Sequence, residues 1–139
     1  MKAFFDTSIL IHAQQKGEKG DAARALLARG GTLSVQVLNE FAAVARRKLG
    51  YEWDAVAEAI EDALALVAAP APLSLETHRA ALALARDHAL SFYDALIVAA
   101  AARARCDTLW SQDMQHGRAF GALTIRNPFL DNAQQTGAR

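Results

Sequence analysis

Cysteine is almost absent from this chain. Cys106 is the single one in 139 residues, which excludes an intramolecular disulfide framework and fits a reducing compartment. A lone thiol of this kind reads as a small buried hydrophobe. Long apolar runs are missing as well. None approaches the ~20 residues needed to cross a bilayer, so no membrane partner is expected. The opening Met1-Lys2-Ala3-Phe4-Phe5-Asp6 meets an acid too early for a secretory leader, and a cytoplasmic location is the expectation. Charge of one sign is not in excess. Fifteen basic residues balance 15 acidic ones, so net charge argues neither for nor against nucleic acid. His12, His78, His88 and His116 lack zinc-ligand spacing. There is no Ser-His-Asp signature, phosphate-cradling glycine loop or recognition-helix motif to build on.

What is present is a globular composition, 53% hydrophobic and 22% charged. It suffices for one domain, expected over 1–130, with a polar, loose tail at 131–139. Apolar periodicity predicts strands at 2–5, 32–35, 73–74, 108–111 and 123–126. It predicts helices at 7–15, 21–29, 52–67, 75–88 and 91–105, and one following the second strand and ending at 49. Residues 16–20 read as a turn. Strands alternating with helices imply a parallel sheet covered on both faces, whose ligands bind at the carboxyl ends of the strands.

Four acids stand out against that pattern. Asp6 and Asp113 fall at or just after strand ends. Glu40 and Asp94 interrupt apolar helix stripes: Val37 and Val44 flank Glu40 at helical spacing, and Leu90, Ile97 and Val98 flank Asp94. Burying an ionised carboxylate costs several kcal/mol unless something compensates it. A divalent cation shared by all four is the economical compensation. Each acid also has a plainer explanation. Asp6 and Asp113 fit helix caps, Asp94 fits a capping box with Ser91, and Glu40 has Arg46 and Arg47 within reach. Capping does not explain an acid within an apolar stripe, or two acids at strand ends.

The ordered segments Phe5-Asp6-Thr7-Ser8, Asn39-Glu40-Phe41, Tyr93-Asp94-Ala95-Leu96-Ile97, Ser111-Gln112-Asp113-Met114 and Asn127-Pro128-Phe129 cover nearly the whole chain. Together they resemble the PIN-domain family, in particular the VapC-type toxins of bacterial toxin–antitoxin pairs. That resemblance implies an α/β fold, a three-layer α/β/α sandwich with a short central parallel sheet. It implies an Mg²⁺-dependent endoribonuclease, with Mn²⁺ as a substitute, whose products carry a 5′-phosphate and a 3′-hydroxyl. Asp6, Glu40, Asp94 and Asp113 match the family's acidic quartet, with Asp6 and Asp94 expected as the principal metal ligands. Ser111 matches its small hydroxyl residue and Asn127 its polar residue near the last strand. Thr7, Ser8 and Ser111 are candidates to hydrogen-bond the ligand carboxylates. The implied partners are an RNA substrate, a small antitoxin lying between the helices near 7–15 and 34–49, and a second copy of the chain. Two other readings stand beside it. One is a non-catalytic interaction module on the same fold. The other is an Mg²⁺ phosphohydrolase using Asp6 as phosphoryl acceptor, although the second acid such enzymes carry two residues on is Ser8 here. Arg46-Arg47-Lys48 suits either phosphate contact or a helix C-terminus. Tyr51 and Trp53 are candidate stacking residues, and Trp110 a core residue.

Overall fold

The computed structural model describes residues 1–130. The expected tail at 131–139 lies outside the described residues. The elements run β1 (Ala3–Phe5), α1 (Thr7–Ala13), α2 (Glu18–Ala28), α3 (Val35–Lys48), α4 (Trp53–Leu64), α5 (Leu75–His88), α6 (Phe92–Arg103), β2 (Thr108–Trp110), β3 (Ala119–Phe120) and β4 (Leu123–Arg126).

The sheet order is β1-β2-β4-β3. β1, β2 and β4 are parallel, and β3 adds an antiparallel edge to β4. Successive side chains on a strand point to opposite faces. Every residue of β1 and β2 is buried, so both faces of the sheet centre are covered. β4 alternates buried with half-buried residues, and β3 is largely open, as befits an edge. The core joins Phe4, Phe5, Leu109 and Ile125 of the sheet to Ile9, Val37, Phe41, Ile97 and Val98 of the helices. Residues Ala95 to Ala101 of α6 are all buried, which explains its run of alanine and β-branched residues. Full burial of large side chains contributes about 1.5–3 kcal/mol each.

Four differences from the sequence expectations have local causes. Residues 32–35 form no strand of their own. Thr32 bridges Phe4 in parallel, with Phe5 N–H to Thr32 O and Thr32 N–H to Ala3 O both at 2.9 Å, and Ser34 bridges Ala71. The ladder stops there because Ser34 turns the chain into α3, its hydroxyl accepting the Val37 N–H at 3.2 Å. Ser74 likewise caps α5 instead of joining a strand. α2 begins at Glu18, inside the expected turn. Gly20 lies in its first turn, where a Cβ would sit 1.9 Å from the Gln15 carbonyl oxygen. That glycine marks a close approach of α2 to the end of α1, not a chain reversal. The two-residue β3 has no alternation to detect and makes the sheet mixed at its edge, where a wholly parallel one was expected.

Ser34 is the cap of the helix that carries Glu40. Ser34→Ala should lower stability by about 1 kcal/mol, read as an earlier midpoint in urea unfolding with an unchanged slope.

Candidate active site

The parallel register places two loops side by side. Phe5 pairs with Trp110, so Asp6 and Ser111 follow at the same level of the sheet. Asp6 N–H bonds to Trp110 O and Ser111 N–H to Arg126 O, each at 2.9 Å. Asp6 is only 4% exposed. It occupies the N-cap position of α1 but makes no capping bond through its side chain. Its Oδ2 instead accepts the Ser111 hydroxyl at 2.7 Å and the Ser8 hydroxyl at 3.2 Å.

Both hydroxyls are fixed from behind. Ser111 Oγ accepts the Met114 N–H and Ser8 Oγ the Gln112 N–H, each at 3.1 Å. A hydroxyl has one proton. With its oxygen accepting from the backbone, that proton is left to point at Asp6. The bond from Met114 also closes the turn that presents Asp113 to solvent beside the cleft. No helix follows Asp113, so it caps none.

Glu40 is half-buried on α3. It accepts Thr7 Oγ1–H at 3.3 Å and Gln36 Nε2–H at 3.1 Å, and forms no ion pair with Arg46 or Arg47 among the described residues. Asp94 sits in the first turn of α6, and its N–H bonds to Ser91 Oγ at 3.2 Å. The cap at Ser91 is therefore real, and Asp94 faces the cleft as well.

The four acids line one cleft of about 280 Å³ together with Thr7, Ser8, His12, Lys48 and Gln112. They feel one another. Burial drives the Asp6 carboxyl up to about 6, opposed by Ser111, the Thr7 N–H and Ser8, with the Asp113 charge adding to the rise. Burial also raises Glu40, against the bonds from Gln36 and Thr7, and Asp94 pushes it further. Asp94 is raised by burial and by Asp113, against its bond to Ser91. Among the described residues no three Asp, Glu, His or Cys side chains converge into a ready-made metal cage. An open set of oxygen donors fits a hard ion that keeps its waters and takes one or two carboxylates, as Mg²⁺ does. It does not fit zinc, which wants a closed tetrahedron of nitrogen and sulfur.

Asn127 does not line the cleft. Its Oδ1 accepts the Phe129 N–H at 2.9 Å and its own N–H bonds to His116 Nδ1, so it shapes the chain after β4. Trp110 is buried in the core. Tyr51 donates to Gln14 Oε1 at 2.9 Å, and Trp53 lies under Arg46 at 4.6 Å. Neither lines the cleft. Gln36 had no place in the sequence pattern, His12 figured there only as a histidine without zinc-ligand spacing, and Gln112 only within the segment Ser111-Gln112-Asp113-Met114. His12 Nε2 is bonded to Gln112 Oε1 and its ring meets Phe129 edge-on at 4.8 Å. Gln36 stands one helical turn before Glu40, and that spacing was its available signal.

The PIN domain family model matches residues 3–119, and the chain belongs to that family. No curated protein matches it by sequence. Among solved structures it is similar to a chain of a toxin–antitoxin complex from Klebsiella pneumoniae. There the TM-score is 0.69 at 20% identity, over 92% of this chain and 98% of that one. It is similar to Mycobacterium tuberculosis VapC20, a sarcin–ricin-loop-cleaving toxin, with TM-score 0.65 at 21% identity, over 78% and 87% of the two chains. It is also similar to a chain of Rickettsia felis VapBC2 bound to a promoter DNA fragment, with TM-score 0.67 at 17% identity, over 91% and 98%. At these identities the shared property is the fold.

Proposed function

We propose that this chain is a metal-dependent endoribonuclease of the VapC type and acts as the toxin of a toxin–antitoxin pair. One observation carries the nuclease reading. A buried carboxylate at the carboxyl ends of β1 and β2 is held by two backbone-fixed hydroxyls and opens onto a cleft lined by three more acids. Caps and surface ion pairs do not account for it.

In this reading Asp6 and Asp94 hold Mg²⁺ or Mn²⁺, with Glu40 and Asp113 completing the set or orienting water. When bound, such an ion offsets phosphodiester charge and lowers the pKa of a coordinated water. The chain's own residues do the rest. Ser8 and Ser111 keep Asp6 ionised and immobile. Thr7 and Gln36 aim Glu40 into the cleft. Lys48, on its wall, supplies a cation for a substrate phosphate. Ser8 spends both its hydrogen-bonding roles on Asp6 and Gln112, so nothing stands in for the second acid of an aspartyl phosphohydrolase.

The deciding experiment is incubation of total RNA with the purified chain, with fragment ends mapped. Cleavage leaving 5′-phosphates should require Mg²⁺ or Mn²⁺ and stop in excess EDTA. Cleavage that persists in EDTA, or none in any metal, refutes the reading.

The fold shared with chains of toxin–antitoxin complexes supports an antitoxin partner. Four carboxylates make an anionic cleft that an Arg side chain can enter with charge-assisted bonds. Ile11 and Val44 give the same cleft an apolar wall between α1 and α3. A second copy of the chain and a cytoplasmic setting belong to the same proposal. No helix among the described residues is long and apolar enough to cross a membrane. Induced expression of the chain alone should arrest growth, and the inactive Asp6→Asn form should not. Equal growth of both cultures would refute the toxin role.

A further inference from the structure

α3 carries two parallel stripes at a four-residue spacing. Gln36, Glu40, Val44 and Lys48 form one, and Asn39, Ala43 and Arg47 the other. Glu40, Val44 and Lys48 of the first line the cleft of acids, while Gln36 lines the groove beside it. The second borders a separate open groove of about 350 Å³, which shares Glu40 and Val44 with that cleft and is closed by Tyr93 of α6. The two concavities are therefore continuous past Glu40. Tyr93 directly precedes Asp94, which ties its position to the acids. Tyr93 is 63% exposed and meets the Phe92 ring edge-on, with centroids 5.9 Å apart.

The basic run at the end of α3 is divided by these surfaces. Arg46 turns away, donating to Tyr51 O at 2.9 Å and lying over Trp53. Lys48 lines the cleft, and Arg47 lines the groove with no ion pair among the described residues. An exposed ring, an amide at Asn39 and an unpaired guanidinium, continuous with a cleft that takes phosphate, have the chemistry that holds an unstacked base of single-stranded RNA.

We propose that this groove is a nucleobase subsite, resting on the nuclease reading above. The base of a nucleotide flanking the cleaved phosphodiester stacks on Tyr93. Arg47 contacts the adjoining phosphate, and Asn39 meets the base edge. The subsite gives the enzyme a preference at one position beside the cut.

The test uses the full chain, Mg²⁺ and a single-stranded oligoribonucleotide containing a site that the wild type cleaves. Tyr93→Ala should raise KM roughly 5- to 150-fold, the range of base–aromatic stacking, with little change in kcat. Tyr93→Phe keeps the ring and should restore most of the affinity. Removing the base, by an abasic substitution in the flanking nucleotide, should weaken wild-type cleavage by a similar factor. Tyr93→Ala should be insensitive to that removal, since ring and base act as a pair. Arg47→Ala should lower affinity and reduce the salt slope by about one. Trp53→Ala, equally exposed but outside the groove, should change nothing. An unchanged KM in Tyr93→Ala, or equal abasic losses with and without the ring, overturns the subsite and leaves the nuclease standing. If the wild type cleaves no RNA, both readings fall. If Tyr93→Ala instead halves the sedimenting mass, the face belongs to a second copy and the subsite is overturned.

Discussion

Asp6→Asn is expected to lose RNA cleavage altogether and yet to be more stable than the wild type in chelator at pH 7.5. The two effects share a cause. Burial raises the Asp6 carboxyl from an ordinary 3.8 to about 6. The native state therefore binds more protons than the unfolded chain between those values, and metal-free stability falls as pH rises through the window. Above it the ionised group carries a penalty of order 3 kcal/mol, at about 1.4 kcal/mol per pH unit. Glu40 and Asp94 are raised in the same direction and add to the decline. Asparagine escapes the penalty with little rearrangement. Both serine hydroxyls donate to the same oxygen, Oδ2, so one amide oxygen can take both. The measurement is a set of thermal melts in EDTA from pH 4 to pH 8. The wild-type midpoint should fall across the range, and the Asp6→Asn midpoint should fall less and lie above it at the alkaline end. Saturating Mg²⁺ should then stabilise the wild type and not the variant, because only the native carboxylates bind the ion. A midpoint for Asp6→Asn clearly below wild type in EDTA would mark Asp6 as an ordinary structural acid.

Much of the site could be read from particular residues because charge and periodicity conflict there. An acid ending the run Ala3-Phe4-Phe5, and another inside the stripe Val37–Phe41–Val44, are costly choices that local structure does not explain. The parallel register then brings Asp6 and Ser111 together with no further assumption. A hydroxyl cap announced the last helix at Ser91, whereas Ser34 and Ser74, equally caps in the structure, sat at the ends of apolar runs that read as strands. What stayed hidden depends on partners distant in sequence. Nothing near Thr32 says that its neighbours are Ala3 and Phe4, or that it contributes bridges and no strand. Gly17 and Gly20 look alike in sequence. One turns the chain at a φ of 106°, and the other packs inside α2 against Gln15. Asn127 suits a polar shell around the acids by its chemistry, but its amide oxygen is taken by the turn at Phe129. The basic triplet at the end of α3 could not be divided among its three surfaces without knowing where Trp53 and Tyr93 lie.

Ser111→Ala should be the most damaging change at a residue that touches neither metal nor substrate. Its hydroxyl is fully buried, donates the shortest bond Asp6 receives and accepts the Met114 N–H. Removing it withdraws the largest influence opposing the effect of burial on Asp6, so that carboxyl should rise further above 6. It also strands the Met114 amide, at a cost of about 1–3 kcal/mol for an unsatisfied buried group. Loss of a residue that orients a metal ligand typically lowers metal affinity or activity about 10- to 100-fold. A structural defect alone would scale the rate equally at every pH. A positioning role predicts more. If activity needs ionised Asp6, the acid limb of the pH–rate profile should move to higher pH, so the variant's deficit should be largest near pH 6 and shrink toward pH 9. Raising Mg²⁺ should recover part of the rate, since the ion competes with the proton for the same carboxylate. A deficit that stays constant across pH and does not respond to Mg²⁺ would place Ser111 in the turn at Asp113 and remove it from control of Asp6.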